Sequence, residues 1–233
     1  MMRMKRKKTS SKSAIETTLI DVCHRLYAKG LVVATDGNVS VRLPNGKILA
    51  TRSGINKGMI TRKDLVEVTP DGVTLRAKEK PSTELGMHLF IYRQRPDVNA
   101  VVHAHPVYAT GFAAARIALD QNVLTEVIVG LGTVPLANYA TPSTHEMADS
   151  IAPFVKSFEA LLLANHGVVT FGHDLLDAYF KMEKVEQAAR ITFVAKMLGG
   201  EKSLTPDELR RLKSIASVGY GKEVLESLAW KES

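Results

Sequence analysis

The stretch Asn99-Ala-Val-Val-His-Ala-His-Pro106 places two histidines at the end of an apolar run. Residues 98–105 are predicted to form a buried strand, in which side chains two apart point to the same face. His103 and His105 could therefore bind one metal ion, with each ring nitrogen about 2.0–2.1 Å from it. Two imidazoles are costly to bury without a partner, but two hydrogen-bonded core histidines would also satisfy the pattern.

A third histidine follows another apolar run, in Leu161-Leu-Leu-Ala-Asn-His166-Gly. Alone it is more typical of a structural turn, but with the first pair it completes three nitrogen ligands, the set of an open catalytic zinc site. Glu84 begins a predicted helix. It is either a favourable charge in the first helical turn or a metal-binding carboxylate that doubles as a general base. His88 lies one turn further along this helix and is assigned to packing or support.

Three short loops carry hydroxyls, an amide and glycines, the groups that bind a phosphate dianion through side chains and exposed backbone N–H groups. The candidate donors are Thr35, Asn38, Ser53, Gly54, Ser82 and Thr83. Each loop taken alone is typical of an ordinary turn or helix cap. Because Ser82 and Thr83 directly precede Glu84, however, they would place phosphate donors beside a metal-bound carboxylate.

Hydrophobic periodicity and turn residues predict short strands interspersed with helices. The predicted helices cover residues 13–29, 82–94, 109–118, 145–155 and 175–198, with a last helix opening at Thr205. The predicted strands cover residues 31–34, 39–43, 47–51, 65–69, 73–76, 98–105, 134–140, 160–164 and 167–171. The pattern favours a single α/β domain, residues 13–233, with a central, mostly antiparallel β-sheet covered by helices.

The charge distribution argues against a nucleic-acid-binding surface. The net charge is +7, but six positive charges and no acid fall within residues 1–12, which leaves +1 for the remainder. We expect residues 1–12 to form a disordered basic tail, with an interaction or nucleic-acid-binding tail as the alternative. There is no membrane-helix or signal-peptide pattern, so we expect no membrane partner. Cys23, the only cysteine, is typical of a small core residue in a reduced cytoplasmic protein.

Six motifs, in this order, resemble the class II aldolase/adducin family over about residues 13–200. They are Gly37-Asn38-Val-Ser, Ser53-Gly54, Pro81-Ser-Thr-Glu84, His103-Ala-His105, Tyr139-Ala-Thr-Pro and Asn165-His166-Gly167. The resemblance implies a zinc-dependent enzyme, usually a homotetramer with active sites between subunits. The metal, Zn²⁺ or another divalent transition metal, would be held by Glu84, His103, His105 and His166. Glu84 would also be catalytic, and the six loop residues named above would bind the substrate phosphate.

The resemblance also implies reversible cleavage of a ketose 1-phosphate, such as an L-fuculose 1-phosphate-like sugar or a 5-deoxy or methylthio pentulose 1-phosphate. Related epimerases carry aspartate where this chain has Glu84, which favours an aldolase. Family aldolases take a proton-donating tyrosine from a neighbouring subunit, but residues 124–132 contain none, so Thr125 or Glu126 could replace it. Tyr220 resembles a C-terminal tyrosine at the aldehyde end. The alternatives are epimerisation, decarboxylation, dehydration, or a non-catalytic adducin-like interaction module.

Overall fold

A mostly antiparallel sheet forms the centre of the protein, as the sequence predicts. The structure is a computed structural model that describes residues 11–76 and 80–220. Within these ranges seven strands form one sheet: β1 (Asn38–Arg42), β2 (Ile48–Thr51), β3 (Leu65–Val68), β4 (Ala100–Ala104), β5 (Leu136–Ala137), β6 (Ala160–Leu163) and β7 (Gly167–Gly172). The strand order is β3-β2-β1-β4-β7-β6-β5. Of the pairs described, only the edge pair β5–β6 is parallel.

Helices cover both faces of the sheet. In the described part of the chain they are α1 (Lys12–Ala28), α2 (Leu85–Gln94), α3 (Val107–Ala114), α4 (Thr125–Gly130), α5 (Glu146–Ile151), α6 (Leu175–Met197) and α7 (Pro206–Tyr220). Apolar residues of α1, α3 and α6 pack on one face, and those of α2 and α5 pack on the other. The two apolar cores bury both sides of the central strands, which explains their continuous apolar sequences. None of these helices is both long and apolar enough to cross a bilayer.

Strand pairing brings three chain segments together at one end of the sheet. Asn38, the first residue of β1, pairs with His103 near the end of β4, and His103 also pairs with Val169 near the start of β7. Both neighbours run antiparallel to β4. The end of β4 therefore lies beside the starts of β1 and β7.

Alternation along β4 decides which way its histidine points. Val102 packs in the core with α1, α3 and α6, whereas Val101 packs in the core with α2 and α5. His103 is two residues after Val101 and so lies on the α2 side of the sheet. Because α2 begins directly after Glu84, that carboxylate lies on the same side.

Two of the predicted strands are wrong. Residues 31–34 form a bend and turn, because Ala34 has a φ of 46°, which redirects the chain out of an extended conformation. Residues 73–76 make only an isolated bridge, between Thr74 and Val68. Both segments are apolar enough to suggest strands, but the path of the surrounding chain determines their backbone conformation.

Several predicted helix boundaries also need correction. Helix α2 begins at Leu85 rather than at residue 82, because the Ser82 N–H bonds the Thr51 carbonyl at 3.2 Å and holds that segment extended. The sequence did not predict α4 in residues 125–130. Helix α1 begins at Lys12, the last residue of the predicted tail, whereas residues 1–10 lie outside the described residues. The tail therefore stays a prediction.

Candidate metal centre

The end of β4 holds the first two histidines close together. His103 is fully buried, and its Nδ1–H donates to the Val168 carbonyl at 2.9 Å. In a neutral ring this leaves Nε2 as the free acceptor, the form that binds metals. That Nε2 lies 3.0 Å from Nε2 of His105. Two ligands of a tetrahedral zinc ion lie about 3.3 Å apart, so this separation suits a shared ion.

His166 joins this pair from the tight turn between β6 and β7. Asn165, with a φ of 56°, reverses the chain there, and the His166 N–H bonds the Leu163 carbonyl at 3.0 Å. Gly167 then lets β7 approach β4 closely, because an added Cβ would lie 2.5 Å from His105 Cδ2. One ligand nitrogen from each histidine lies within 4.8 Å of the others, so the three could hold a metal ion.

Glu84 faces the three histidines from the start of α2. Its Oε1 lies 3.0 Å from His166 Nε2, and its Oε2 lies 3.4 Å from His103 Nε2. Asn38 Nδ2 donates to the same Oε2 at 2.9 Å and so fixes the carboxylate. The structure thus brings together all four residues that the sequence analysis suggested as ligands.

The electrostatics of the site favour neutral rings for His103 and His105 and a charged carboxylate for Glu84. Burial lowers the pKa of His103 to about 3 and also lowers the pKa of His105. Burial opposes ionisation of Glu84, but its contacts with His166, His103 and Asn38 together outweigh this effect and lower the pKa of Glu84 to about 2. Three imidazole nitrogens and one carboxylate oxygen are ligands that zinc accepts, so the residues present fit such an ion.

Backbone contacts link the Ser53-Gly54 loop to the segment that leads to Glu84. Ser53 N–H bonds the Lys80 carbonyl at 3.0 Å, and Arg52 bridges Pro81, so the Ser53-Gly54 loop lies against the segment that leads into α2. In that segment Ser82 Oγ accepts the Glu84 N–H at 3.3 Å.

The remaining candidate donors differ in exposure. Thr83, Thr35, Ser53 and Gly54 are exposed, whereas Asn38 is buried against Glu84. Asn38 Oδ1 is buried without a hydrogen-bond partner in the described structure. Asn38 thus links the two parts of the site: its side chain contacts the Glu84 carboxylate, and its backbone belongs to the loop that starts at Thr35.

The candidates for a proton donor lie elsewhere in the chain. Thr125 and Glu126 are exposed on α4, where the Thr125 hydroxyl donates to the Glu126 carboxylate at 2.8 Å. Tyr220 is the last residue of α7, and its side chain lies outside the part of the structure that is described. In the described part of the chain, Thr125 and Glu126 are therefore not among the residues that form the histidine group.

Sequence reasoning missed Asp36, and it assigned His88 to packing or support without identifying its partners. Asp36 Oδ2 lies 3.6 Å from His105 Nδ1, where it helps to orient that ring. His88 is outside the histidine group; its Nδ1 lies 2.7 Å from the Ser40 hydroxyl, which in turn contacts the Tyr92 hydroxyl at 2.9 Å. A polar serine inside the apolar strand β1 was the one signal in the sequence that could have indicated this buried network.

Comparison with known proteins agrees with this geometry. Residues 17–193 match the family model described as the class II aldolase and adducin N-terminal domain. An L-fuculose phosphate aldolase from Methanococcus maripaludis (strain S2) is 34% identical over 182 residues, which cover 78% of this chain and 98% of that protein. A 3-oxo-tetronate 4-phosphate decarboxylase from Escherichia coli (strain CFT073) is 34% identical over 199 residues, covering 83% and 92%.

A solved structure of an L-fuculose 1-phosphate aldolase superimposes with a TM-score of 0.79 at 32% identity, covering 88% of this chain and 97% of that chain. The chain therefore belongs to the class II aldolase and adducin family, as its motifs predicted. The relatives named here include both an aldolase and a decarboxylase. Membership therefore establishes the fold, whereas the activity of this chain has to be argued from its site.

Proposed function

We propose that this protein is a zinc-dependent aldolase that reversibly cleaves a ketose 1-phosphate into dihydroxyacetone phosphate and an aldehyde. The observation that carries the proposal is the convergence of the three imidazoles with the Glu84 carboxylate. The metal would be held by His103, His105, His166 and Glu84, and would supply a Lewis acid for oxygens of the substrate. Zinc is proposed because of its preference for nitrogen ligands, and other divalent transition metals share much of that preference.

Glu84 is the residue proposed to move the proton at C3. In cleavage the C3–C4 bond breaks, the C4 hydroxyl loses its proton, and C3 gains one; in condensation a base removes that C3 proton. A carboxylate held ionised by its partners suits the base role, and the hydrogen bond from Asn38 keeps it oriented. Because Glu84 directly follows the Ser82-Thr83 pair, one short segment could hold both the phosphate and the reacting carbons.

The substrate phosphate is assigned to the segment that carries Ser82 and Thr83 and to the two loops linked to it, one through Ser53 and one through Asn38. The proposed donors are Thr35, Asn38, Ser53, Gly54, Ser82 and Thr83. Binding energy from the phosphate, which takes no part in the chemistry, would position C2 and C3 against the ligands and Glu84. A site arranged in this way would accept substrates that have the same phosphate-bearing half but different aldehyde halves.

The aldehyde half is proposed to be completed by a neighbouring subunit in a homotetramer. Residues 124–132 supply no tyrosine, so Thr125 or Glu126 is the proposed acid there, with Tyr220 as a further contact. These groups suit an L-fuculose 1-phosphate-like substrate less than they suit a 5-deoxy or methylthio pentulose 1-phosphate, whose aldehyde end offers fewer hydroxyls.

Decarboxylation of a phosphorylated oxo acid is the second candidate function. It is favoured by the Escherichia coli decarboxylase, whose 34% identity equals that of the fuculose phosphate aldolase relative. Both reactions break a bond to the carbon next to a ketone and leave a negative charge that the ketone oxygen takes up. One metal site could therefore serve either reaction. The released product separates them.

The test is a product assay on purified protein whose zinc content has been measured. A panel of ketose 1-phosphates is incubated with the protein, and dihydroxyacetone phosphate is detected by coupled reduction with NADH. Carbon dioxide release from 3-oxo-tetronate 4-phosphate is measured in parallel. Triose phosphate release supports the aldolase, whereas carbon dioxide without triose phosphate would replace it by the decarboxylase. Protein that binds no metal and releases neither product would indicate the non-catalytic interaction module.

A further inference from the structure

Lys57 is a lysine in an unusual environment. Its side chain is only 2% exposed, although lysine is rarely buried unless it is paired. Its Nζ donates to two backbone carbonyl oxygens, that of Thr35 at 3.0 Å and that of Ile55 at 2.8 Å. Within residues 11–76 and 80–220, Lys57 forms no ion pair, although the Asp36 carboxylate is near enough to act on its charge. A lysine that is buried without an ion pair is costly, so its burial needs a structural or functional explanation.

The two carbonyls that Lys57 binds belong to two different candidate phosphate loops. Thr35 opens the loop that runs to Asn38, and Ile55 directly follows Ser53 and Gly54. These loops are far apart in the sequence, and one buried side chain joins their backbones. Movement of either loop would break a hydrogen bond inside the protein, so the two are held as one unit.

We propose that Lys57 is a positioning residue for the phosphate site, a role that rests on the proposed function above. By binding both carbonyls it sets the spacing between the Thr35 loop and the Ser53-Gly54 loop, whose hydroxyls and N–H groups would contact the phosphate. Lys57 itself is too buried to serve as the main phosphate contact.

A purely structural lysine would behave differently, and the chain offers a matched control. Lys181 is also buried, at 7% exposure, and its Nζ binds the Phe171 carbonyl at 3.2 Å and the Asp177 carboxylate at 2.8 Å. Phe171 lies near the end of β7, whereas His166 precedes the start of that strand. Removal of Lys181 should therefore lower stability without changing phosphate binding.

The experiment compares Lys57→Met, Lys57→Gln and Lys181→Met as zinc-loaded, full-length proteins. Binding of inorganic phosphate is measured by isothermal titration calorimetry, and thermal unfolding is measured alongside. We expect Lys57→Met to weaken phosphate binding at least about tenfold, equal to about 1.4 kcal/mol. Lys57→Gln, which keeps a donor but not the charge, should lose less. Lys181→Met should bind phosphate as the unsubstituted protein does.

A second measurement covers the case in which the variants fail to fold. In the unsubstituted protein, inorganic phosphate should slow amide hydrogen exchange in residues 35–38 and 53–55 together. Protection of one loop alone would overturn the proposal. So would an unsubstituted protein that binds no phosphate, a folded Lys57→Met that binds it normally, or an equal loss in Lys181→Met. If no ketose 1-phosphate releases triose phosphate but the Lys57 variants still lose phosphate binding, the proposed aldolase fails and the role of Lys57 stands.

Discussion

Gly37 occupies a backbone position near the metal centre where any side chain would meet two obstacles. Its φ is +70°, and an added Cβ would lie 2.6 Å from Val32 Cγ1 and 2.8 Å from the carbonyl oxygen of His103. The positive φ costs an L-residue about 1–2 kcal/mol. Overpacking typically costs a further 1–3 kcal/mol or so. We therefore expect Gly37→Ala to lower the free energy of unfolding by about 2–5 kcal/mol.

The same substitution should also reach the metal site, because the obstructing oxygen belongs to a candidate ligand. The contact is relieved if the end of β4 moves, which displaces His103, or if the Gly37 turn moves, which displaces Asn38 and its hydrogen bond to Glu84. Gly30→Ala is the matched control, since Gly30 has a φ of +68° with no atom within 4 Å of an added Cβ. It should lose only about 1–2 kcal/mol and keep its metal.

Urea unfolding of both variants gives the stabilities, and zinc content after dialysis reports the site. Equal losses of stability in the two variants would refute the close-approach argument. Full zinc retention in Gly37→Ala would refute the link between this turn and the ligands.

Three further outcomes are expected. Glu84→Gln should lower kcat about 10²–10⁴-fold with zinc retained, because it removes the proton-transferring group, and near-normal turnover in a steady-state assay would contradict that role. Burial raises the pKa of the Cys23 thiol to about 12, so Cys23 should react with a thiol reagent at pH 8 only after unfolding, and rapid labelling of native protein would be the contrary result. Burial opposes ionisation of Asp177, but a hydrogen bond from Lys181 lowers the pKa of its carboxyl group below 3.8. The ionised carboxylate therefore stabilises the folded protein above pH 3.8, and this contribution is lost as the pH falls through the pKa of the folded state. Asp177→Asn should therefore flatten acid unfolding curves, and an unchanged pH dependence would exclude this contribution.

Much of the sheet could be predicted because the sequences of its central strands are compatible with few other kinds of secondary structure. The apolar runs of residues 98–105, 160–164 and 167–171 are too short for helices and are bounded by turn residues, and each overlaps an observed strand. Residues 31–34 look similar, yet they form a turn because Ala34 adopts a left-handed conformation. Nothing in the local sequence requires that conformation, which is set by contacts with distant parts of the chain.

The candidate site was predictable to the extent that its residues are chemically unusual. Histidines at strand ends stand out in an apolar sequence, so the ligand candidates could be named before any coordinates were available. Lys57 does not stand out, because an isolated lysine normally indicates an exposed surface. Its partners are backbone carbonyls, which carry no signature in the sequence, so only the structure reveals its burial and its two hydrogen bonds.

The register of β4 and the candidate metal site depend on each other. Val102 and Ala104 fill the core with α1, α3 and α6, and this alternation directs His103 to the opposite face. A shift of one residue would place the imidazole in that apolar core without partners and would expose the apolar side chains to the polar site. A protein used only for assembly would be equally well served by an apolar residue at position 103, and it would avoid the burial of an imidazole. The buried imidazole, with its free nitrogen directed at His105 and Glu84, is therefore better explained by a bound ion than by packing.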